Sequence, residues 1–144
     1  MLSEQFALAL LSTARAWRNA LDARLKALGV GVGQAGWLAI AMLARSGLAL
    51  SQHALAERLA IGAPSMGATI DRLSELGLVA RIACPGDRRI KLVRLTDAGR
   101  ELHKQVRMEA EAFRLGILAG IDPARLESLA TLLDTIIERI VAAA

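Results

Sequence analysis

The sequence is poor in the residues on which several common classes of protein depend. It contains one cysteine in 144 residues, which excludes an internal disulfide framework. Its two histidines, His53 and His103, are far apart with no other histidine or cysteine beside them, so we expect no metal site. A membrane span needs about eighteen uncharged apolar residues, and even the stretch from Trp37 to Leu50 carries Arg45. We therefore expect neither a disulfide scaffold, nor a metalloprotein, nor a membrane-spanning protein.

Patterns of catalytic residues are also missing. The chain has no nucleophile and base at useful spacing, no glycine-rich loop that would cradle a phosphate, and no carboxylate dyad. We therefore expect that the protein is not an enzyme and that it binds no cofactor. The N-terminal segment carries Glu4 and lacks the basic stretch of a signal peptide, so we expect a cytoplasmic protein.

The residues that are abundant are apolar and typical of helices. Hydrophobic residues make up 54% of the chain, aromatic residues make up 3%, and the mean hydropathy is +0.41. Alanine and leucine dominate, which favours helices over sheets. A chain of this length can bury one core, and a small monomer that displayed the remaining leucine and isoleucine would aggregate. We therefore expect one domain with a large subunit interface.

Two amphipathic helices are predicted in the first third of the chain. Over residues 3–28 apolar side chains recur at spacings of three, four and seven, and Gly29 follows as a stop signal. The same pattern over residues 34–46 predicts a second helix, with Gly47 at the position of a left-handed C-cap.

A helix-turn-helix pattern follows these two helices. Ser51 caps a short helix that runs to Ala60, and a turn containing Gly62 leads to a helix with Pro64 in its first turn. Gly77 ends this helix. Its inward residues are Met66, Ile70 and Leu73, and its outward residues are Ser65, Ala68, Thr69 and Arg72.

A short basic hairpin comes next. Two β-type runs, residues 78–83 and 90–95, flank the six residues 84–89 and predict an antiparallel pair. Between residues 78 and 94, five basic residues stand against one acid, and the balance of 5 − 1 = +4 equals the formal net charge of the whole chain. The basic residues are Arg81, Arg88, Arg89, Lys91 and Arg94, and the acid is Asp87. Such a concentration of positive charge is what phosphate binding requires.

Two further helices complete the predicted fold. Thr96 caps a long helix that runs into the region of Gly116, with Asp97 at its positive end. Asp122 followed by Pro123 starts the last helix, whose apolar residues recur at three and four. They are Leu126, Leu129, Leu133, Ile136 and Ile140, and they form a seam like that of a coiled coil.

Several motifs make this order of elements specific. One is Asp87-Arg88-Arg89 followed by Leu95-Thr96-Asp97-Ala98-Gly99; another is Gln52-His53-Ala54-Leu55-Ala56-Glu57-Arg58-Leu59 leading into Ala63-Pro64-Ser65. Over nearly the whole chain they resemble the MarR family of bacterial winged-helix transcription regulators. Trp17-Arg18, Leu21-Asp22, Arg24-Leu25 and Gln34-Ala35-Gly36-Trp37 are similar to the branch that contains the SlyA-type regulators.

The resemblance implies a fold and a function. The fold is mainly α with a small β-hairpin wing: a winged helix-turn-helix flanked by N- and C-terminal dimerisation helices. Residues 1–144 form a single domain, with dimerisation helices in residues 1–33 and 108–144 and the DNA-binding lobe in residues 34–107. A homodimer binds a pseudo-palindromic operator in double-stranded DNA, with half-sites about 34–36 Å apart. The function is transcription regulation, by default repression, relieved by a small aromatic or phenolic acid.

The resemblance also implies roles for residues of the wing. Arg89 enters the minor groove, where narrow A·T-rich stretches concentrate negative potential, and Asp87 holds its guanidinium by a bidentate contact. Arg88 and Lys91 contact phosphates. The alternative is a solvated turn with an ion pair worth under about 1 kcal/mol. The position directly after a helix-turn-helix favours the DNA interpretation.

The recognition helix departs from the family, many of whose members carry long polar residues where this chain has Ala63 and Ala68. The candidate DNA contacts of the helix-turn-helix are Ser51, Pro64, Ser65, Ala68, Thr69 and Arg72. Arg72 can contact guanine, worth about 1–3 kcal/mol of discrimination, or can instead pair with Glu75. Gly67 either permits close approach to DNA or softens the helix. We therefore expect recognition weighted toward DNA shape and backbone contacts.

A candidate ligand site and a cysteine remain. The family resemblance places an aromatic acid between the dimerisation helices and the winged-helix lobe, where the candidate residues are Trp17, Arg18, Leu21, Trp37 and His53. The alternative is that both tryptophans are core or interface residues.

Cys84 is either a small hydrophobic residue or a thiol whose oxidation perturbs DNA contact.

A second function stays open at this stage. The sparse recognition helix would also suit a dimeric ligand-binding or protein-interaction module that has kept the winged-helix scaffold and lost specific DNA recognition.

Overall fold

The computed structural model describes residues 1–28 and 31–144, so the helix stop predicted at Gly29 lies outside the described residues. These residues form six helices and a three-stranded sheet, which confirms the predicted fold class. In chain order the elements are α1 (Leu2–Lys26), α2 (Gly33–Ser46), β1 (Leu50–Ser51), α3 (Gln52–Arg58), α4 (Ala63–Glu75), β2 (Val79–Cys84), β3 (Asp87–Leu95), α5 (Asp97–Leu118) and α6 (Pro123–Ala143).

The chain divides into two compact units, Met1–Ala110 and Glu111–Ala144. In the first unit the core lies among α2, α3, α4 and the sheet. Its largest fully buried side chains are Ile40, Leu55, Met66, Ile70, Leu73 and Val93. Each such side chain contributes about 1.5–3 kcal/mol relative to an exposed one, so this core fixes the helix-turn-helix against the sheet.

Local hydrogen bonds and one left-handed residue fix where α3 begins and ends in the helix-turn-helix. The Ser51 hydroxyl accepts a hydrogen bond from the Ala54 N–H at 3.0 Å, which confirms the predicted cap of α3. Ala60 adopts a left-handed φ of 52°, and the Ile61 N–H then donates to the Ala56 carbonyl at 2.9 Å. These bonds end α3 and place α4 directly after a short turn.

The end of α4 also follows the prediction. Gly77 has φ 71°, and the Leu78 N–H donates to the Leu73 carbonyl at 2.9 Å. Leu78 is buried against the core as the chain leaves the helix. Gly77 thus turns the chain from α4 into β2.

The sheet has the order β1-β3-β2, and its edge strand β1 was not predicted. Leu50 pairs with Val93 and Ser51 with Leu92. A strand of two residues is too short to show an alternating pattern, so its pairing depends on contacts that are distant in sequence.

The wing differs from the prediction at its tip. The strands extend to Cys84 and from Asp87, so the connection is a tight turn rather than the six residues 84–89. Cys84 faces Asp87 while Ala83 faces Lys91, so residues 88–90 of β3 have no partner on β2. They form an irregular bulge, which hides the alternation by which a strand is recognised in sequence.

The second unit contains α6, which begins as predicted: Asp122 Oδ1 accepts a hydrogen bond from the Ala124 N–H at 3.0 Å. Within residues 123–143 no side chain of α6 is buried. Leu129, Ile137 and Ile140 are 49%, 58% and 62% exposed. In residues 1–28 and 31–144, no helix combines the length and the apolar character that a membrane span requires.

Candidate nucleic-acid interface

The tip of the wing presents an exposed guanidinium that a carboxylate holds in place. Asp87 Oδ1 accepts a hydrogen bond from the Arg89 backbone N–H at 2.9 Å and another from Arg89 Nε at 3.2 Å. The Arg89 side chain is 92% exposed. The predicted contact is confirmed, but its predicted bidentate form is wrong, because both bonds end on one oxygen and one comes from the backbone. The contact uses Nε and leaves the two Nη groups of Arg89 to meet a ligand.

Exposed basic side chains on and beside the bulge add positive charge at the wing tip. Arg88, Arg89 and Lys91 are all exposed, and Arg88 and Arg89 lie in the unpaired stretch of β3. Residues 87–91 therefore carry a balance of 3 − 1 = +2 in each chain. Cys84 is half-buried beside this tip, opposite Asp87, and its redox role stays a prediction.

Arg81 belongs to a different arrangement. Its Nη2 donates to Asp71 Oδ1 at 2.5 Å and to Gln52 Oε1 at 3.4 Å. Because Asp71 lies on α4 and Gln52 begins α3, this cluster connects β2 to both helices of the helix-turn-helix. The sequence pattern does not predict the roles of Asp71 and Gln52, because no periodicity links residues that are 10 and 29 positions from Arg81.

The outer face of α4 is exposed as predicted, but it offers few free polar groups. The exposed residues are Pro64, Ser65, Ala68 and Arg72. Thr69 is half-buried, and its hydroxyl donates to the Ser65 carbonyl at 2.9 Å, so its proton is used within the helix. Ser51 Oγ is engaged as the cap of α3.

Arg72 pairs with Glu75, which is the second of the two arrangements predicted for it. Its Nη1 lies 3.8 Å from Glu75 Oε2. Its Nη2 lies near Gly31, where an added Cβ would be 3.8 Å away. The Arg72 and Glu75 side chains are 53% and 71% exposed, so the pair is worth under about 1 kcal/mol and DNA can displace it.

Gly67 lies beside the start of α3, and its two predicted alternatives, close approach to DNA and a softer helix, stay predictions. A Cβ added to Gly67 would lie 3.2 Å from Gln52 Nε2. Gly67 therefore faces the end of a flexible side chain at the start of α3.

We expect Gly67→Ala to raise the free energy of unfolding by up to about 1 kcal/mol, because alanine has the higher helix propensity and the Gln52 side chain can move aside. DNA affinity should change less than about twofold, since the added methyl group faces α3. Urea denaturation and fluorescence anisotropy measure the two quantities. A folded variant with a tenfold or greater loss of DNA affinity would show instead that Gly67 permits close approach of DNA.

Known proteins are similar to this chain in sequence and fold. A family model described as MarR family matches residues 30–90, which span the helix-turn-helix and the wing tip. The crystal structure of transcriptional regulator PA3341 is 34% identical in sequence, has a TM-score of 0.78, and matches 95% of this chain and 98% of that chain. The chain belongs to the MarR family.

Two more distant structures share the fold of this MarR-family chain. CouR from Rhodococcus jostii RHA1, solved with p-coumaroyl-CoA, is 22% identical with a TM-score of 0.75, and 94% of each chain is covered. A mutant MarR from E. coli, solved with operator DNA, is 19% identical with a TM-score of 0.76, and 90% of this chain and 91% of that chain are covered. Membership of the SlyA-like branch stays a prediction.

The five predicted ligand residues of this MarR-family protein lie on three helices. They are Trp17, Arg18 and Leu21 on α1, Trp37 on α2 and His53 on α3. Trp37 packs against the core, as its alternative interpretation expected, and Trp17 is half-buried. His53 is exposed, with its Nε2 3.9 Å from Glu57 Oε2. Their role in ligand binding stays a prediction.

A cleft of about 560 Å³ lies elsewhere in the first unit, between the C-terminal end of α2, residues 47–49, the end of β3 and the first half of α5. Its basic side chains are Arg94, Arg100, His103 and Arg107, and we call it the basic cleft. None of the five predicted ligand residues lines it. His103 is half-buried in this cleft.

The pKa of His103 is below 6.5 in the folded protein, because burial disfavours the charged imidazole and the positive charge of Arg107 adds to the effect. The unfolded chain therefore binds a proton more readily than the folded chain. The free energy of unfolding should accordingly fall as the pH decreases below 6.5.

We expect His103→Gln to weaken this pH dependence, because the variant removes the group that titrates. Urea denaturation of both proteins at a series of pH values from about 7 to about 5 measures the difference. The same slope of stability against pH in the two proteins would contradict the assignment to His103.

Proposed function

We propose that this protein is a homodimeric transcription regulator that binds a specific pseudo-palindromic operator in double-stranded DNA. The observation that carries the proposal is the wing tip, where Asp87 holds an exposed Arg89 and where Arg88 and Lys91 are also exposed. An arginine on such a tip can enter a narrow minor groove, and neighbouring cations can bind phosphates. The E. coli MarR complex with operator DNA, which shares the fold, supports this use of the lobe.

The proposed recognition helix is α4, which enters the major groove. Its exposed residues Ser65 and Ala68 are small, and Arg72 must leave its weak pair with Glu75 to reach a base. Direct readout of bases is therefore limited, and specificity arises mainly from DNA shape at the wings. Single base changes under α4 should cost little compared with changes in the A·T content of the flanking minor grooves.

The proposed dimer uses the predicted dimerisation helices, residues 1–33 and 108–144. Apolar side chains along α1 and α6 are exposed in the single chain: Leu8 and Leu11 at 61% and 67%, and Ile137 and Ile140 at 58% and 62%. A second copy of the chain would cover them. Two recognition helices related by a two-fold axis then read half-sites about one helical turn apart.

The proposed mode of action is repression by occupancy of the operator, relieved by a small aromatic or phenolic acid. CouR, which shares the fold, was solved with p-coumaroyl-CoA. An effector that binds the free conformation more tightly than the DNA-bound one lowers the affinity for DNA. The ratio of its affinities for the two conformations sets the size of that effect. The proposed role is therefore that of a cytoplasmic, ligand-controlled DNA-binding protein rather than an enzyme.

Fluorescence anisotropy tests the proposal with a labelled duplex from upstream of the protein's own gene and with a scrambled duplex of equal composition. We expect tighter binding to the upstream duplex by about 10³-fold, and a loss of about 10³-fold or more between roughly 50 and 200 mM salt. Sedimentation equilibrium should give the mass of two chains. A dimer that binds neither duplex at low salt would contradict the proposal and favour a ligand-binding or protein-interaction module on the same scaffold.

A further inference from the structure

The apolar core holds the wing only near its base. In β2, Val79 is buried and Ala80 is half-buried, but the next three residues, 81–83, are exposed. In β3, Val93 is fully buried, whereas residues 88–91 are exposed. We call residues 82–92 the outer wing. A two-stranded hairpin without a packed face is marginally stable in water, so the orientation of the outer wing depends on other contacts.

Arg81 supplies a polar link at the point where the apolar contacts end. Its backbone pairs with Val93, and its side chain is 30% exposed. Its guanidinium donates to Asp71 Oδ1 on α4 and to Gln52 Oε1 on α3. In residues 1–28 and 31–144, no other side-chain hydrogen bond or ion pair joins β2 or β3 to α3 or α4. This one guanidinium therefore connects the wing to both helices of the helix-turn-helix.

The place of Arg81 on the strand gives this link control over the wing tip. Arg81 lies three residues before Cys84, the end of β2, or about 10 Å at the rise of a strand. A small rotation of the hairpin about its base therefore moves the tip by several ångströms. The minor groove that Arg89 would enter is only about 6 Å wide, so such a movement would take Arg89 out of it.

We propose that Arg81 is a positioning residue for DNA binding, which holds the wing and α4 in one relative orientation through Asp71 and Gln52. Both elements can then contact one operator at the same time. Arg81 does this without contacting DNA, so its charge is used within the protein. The proposal rests on the proposed function, in which the wings supply most of the specificity.

The charge of α4 allows a test in which two effects have opposite signs. Residues 63–75 carry Asp71, Arg72 and Glu75, a balance of 1 − 2 = −1. Asp71→Asn removes a negative charge from this helix, and electrostatics alone therefore predict tighter binding to any DNA. The same variant breaks the link to Arg81, and loss of positioning predicts weaker binding to the operator.

Fluorescence anisotropy with the upstream and the scrambled duplex measures both effects. In Asp71→Asn we expect the affinity for the upstream duplex to fall about tenfold or more, while the affinity for the scrambled duplex stays the same or rises. Arg81→Gln should lose a similar factor on the upstream duplex. The double variant Arg81→Gln/Asp71→Asn should lose no more than Arg81→Gln, because the link is broken only once.

Asp97→Asn is the matched control. Asp97 is an exposed acid on α5 that pairs with Arg100, so this variant makes the same change in charge and also breaks a surface ion pair. It does not touch the link between the wing and the helix-turn-helix, so its affinity for the upstream duplex should not fall. Thermal melting monitored by circular dichroism verifies that each variant is folded.

Three results would overturn the positioning role. One is an affinity of Asp71→Asn for the upstream duplex that equals or exceeds that of the wild type. Another is an equal loss on both duplexes, which would show a merely structural role. The third is a pair of losses that multiply in the double variant, which would show that the two residues act independently.

Hydrogen exchange of the free protein tests the link without DNA. Amides of residues 82–84 should exchange about threefold faster or more in Asp71→Asn, because the outer wing opens more often when only its own strand pairing holds it. Asp97→Asn should leave these rates unchanged. If the wild type binds neither duplex, the proposed function fails, and exchange still decides whether Arg81 holds the wing. If the wild type binds its operator but these amides exchange equally in Asp71→Asn, the positioning role fails and the proposed function stands.

Discussion

The Arg89→Ala variant should bind its operator about 100-fold more weakly than the wild type while remaining a folded dimer. Each wing loses a charged contact worth about 1.5 kcal/mol, and a dimer has two wings. The substitution should cost the fold little, because the Arg89 side chain is 92% exposed and contacts Asp87 at the surface. Fluorescence anisotropy on the operator and thermal melting measure the two effects.

Three control variants separate groove insertion from charge alone. Lys104→Ala removes an exposed cation from α5 and should change DNA affinity by less than about twofold. Arg88→Ala should weaken binding to all sequences alike and reduce the salt slope by about one for each wing. Asp87→Ala keeps the charge of Arg89 but releases its side chain, and should cost less than Arg89→Ala. Unchanged operator affinity in Arg89→Ala would show that the wing tip does not enter the DNA.

Gly99→Ala should lower the free energy of unfolding by about 3 kcal/mol or more and the melting temperature by roughly 10 °C. A Cβ on Gly99 would overlap the Leu78 carbonyl oxygen and lie 3.1 Å from Leu95 Cδ2. The same carbonyl accepts a hydrogen bond from the Thr96 N–H at 3.1 Å, so it cannot withdraw without disturbing the start of α5. Differential scanning calorimetry measures the loss.

Gly116→Ala is the matched control on the same helix. A Cβ at Gly116 would meet nothing within 4 Å, so this variant should gain up to about 1 kcal/mol from helix propensity. Equal melting temperatures for the two alanine variants would contradict the close packing of α5 against residue 78.

Most of the fold could be predicted because its signals are local. Ser51, Gly77, Thr96 and Asp122 mark helix ends through hydrogen bonds and backbone angles that involve neighbouring residues, and each is found where it was expected. The edge strand β1 could not be predicted, since two residues show no alternation. The bulge at residues 88–90 likewise breaks the alternation that would have extended β3 to Asp87.

The contacts of the candidate site likewise fall into those that the sequence could predict and those that it could not. Asp87 and Arg89 belong to one short motif, and the family resemblance of that motif predicted their contact. The cluster of Gln52, Asp71 and Arg81 joins three elements and could not be. The basic cleft was missed for the same reason, because its cations come from β3 and α5 while its apolar wall comes from α2 and the residues after it.

Hydroxyl-radical footprinting of the complex with the upstream duplex tests the central claim most directly, because this reagent reports access to the minor groove. Two wings on a symmetric dimer should protect two minor-groove tracts, placed symmetrically about the centre of the operator and outside half-sites about 10 base pairs apart. In the Arg89→Ala variant both tracts should become accessible at protein concentrations that keep the DNA bound. Protection of a single tract, or protection that persists in the variant, would contradict the account.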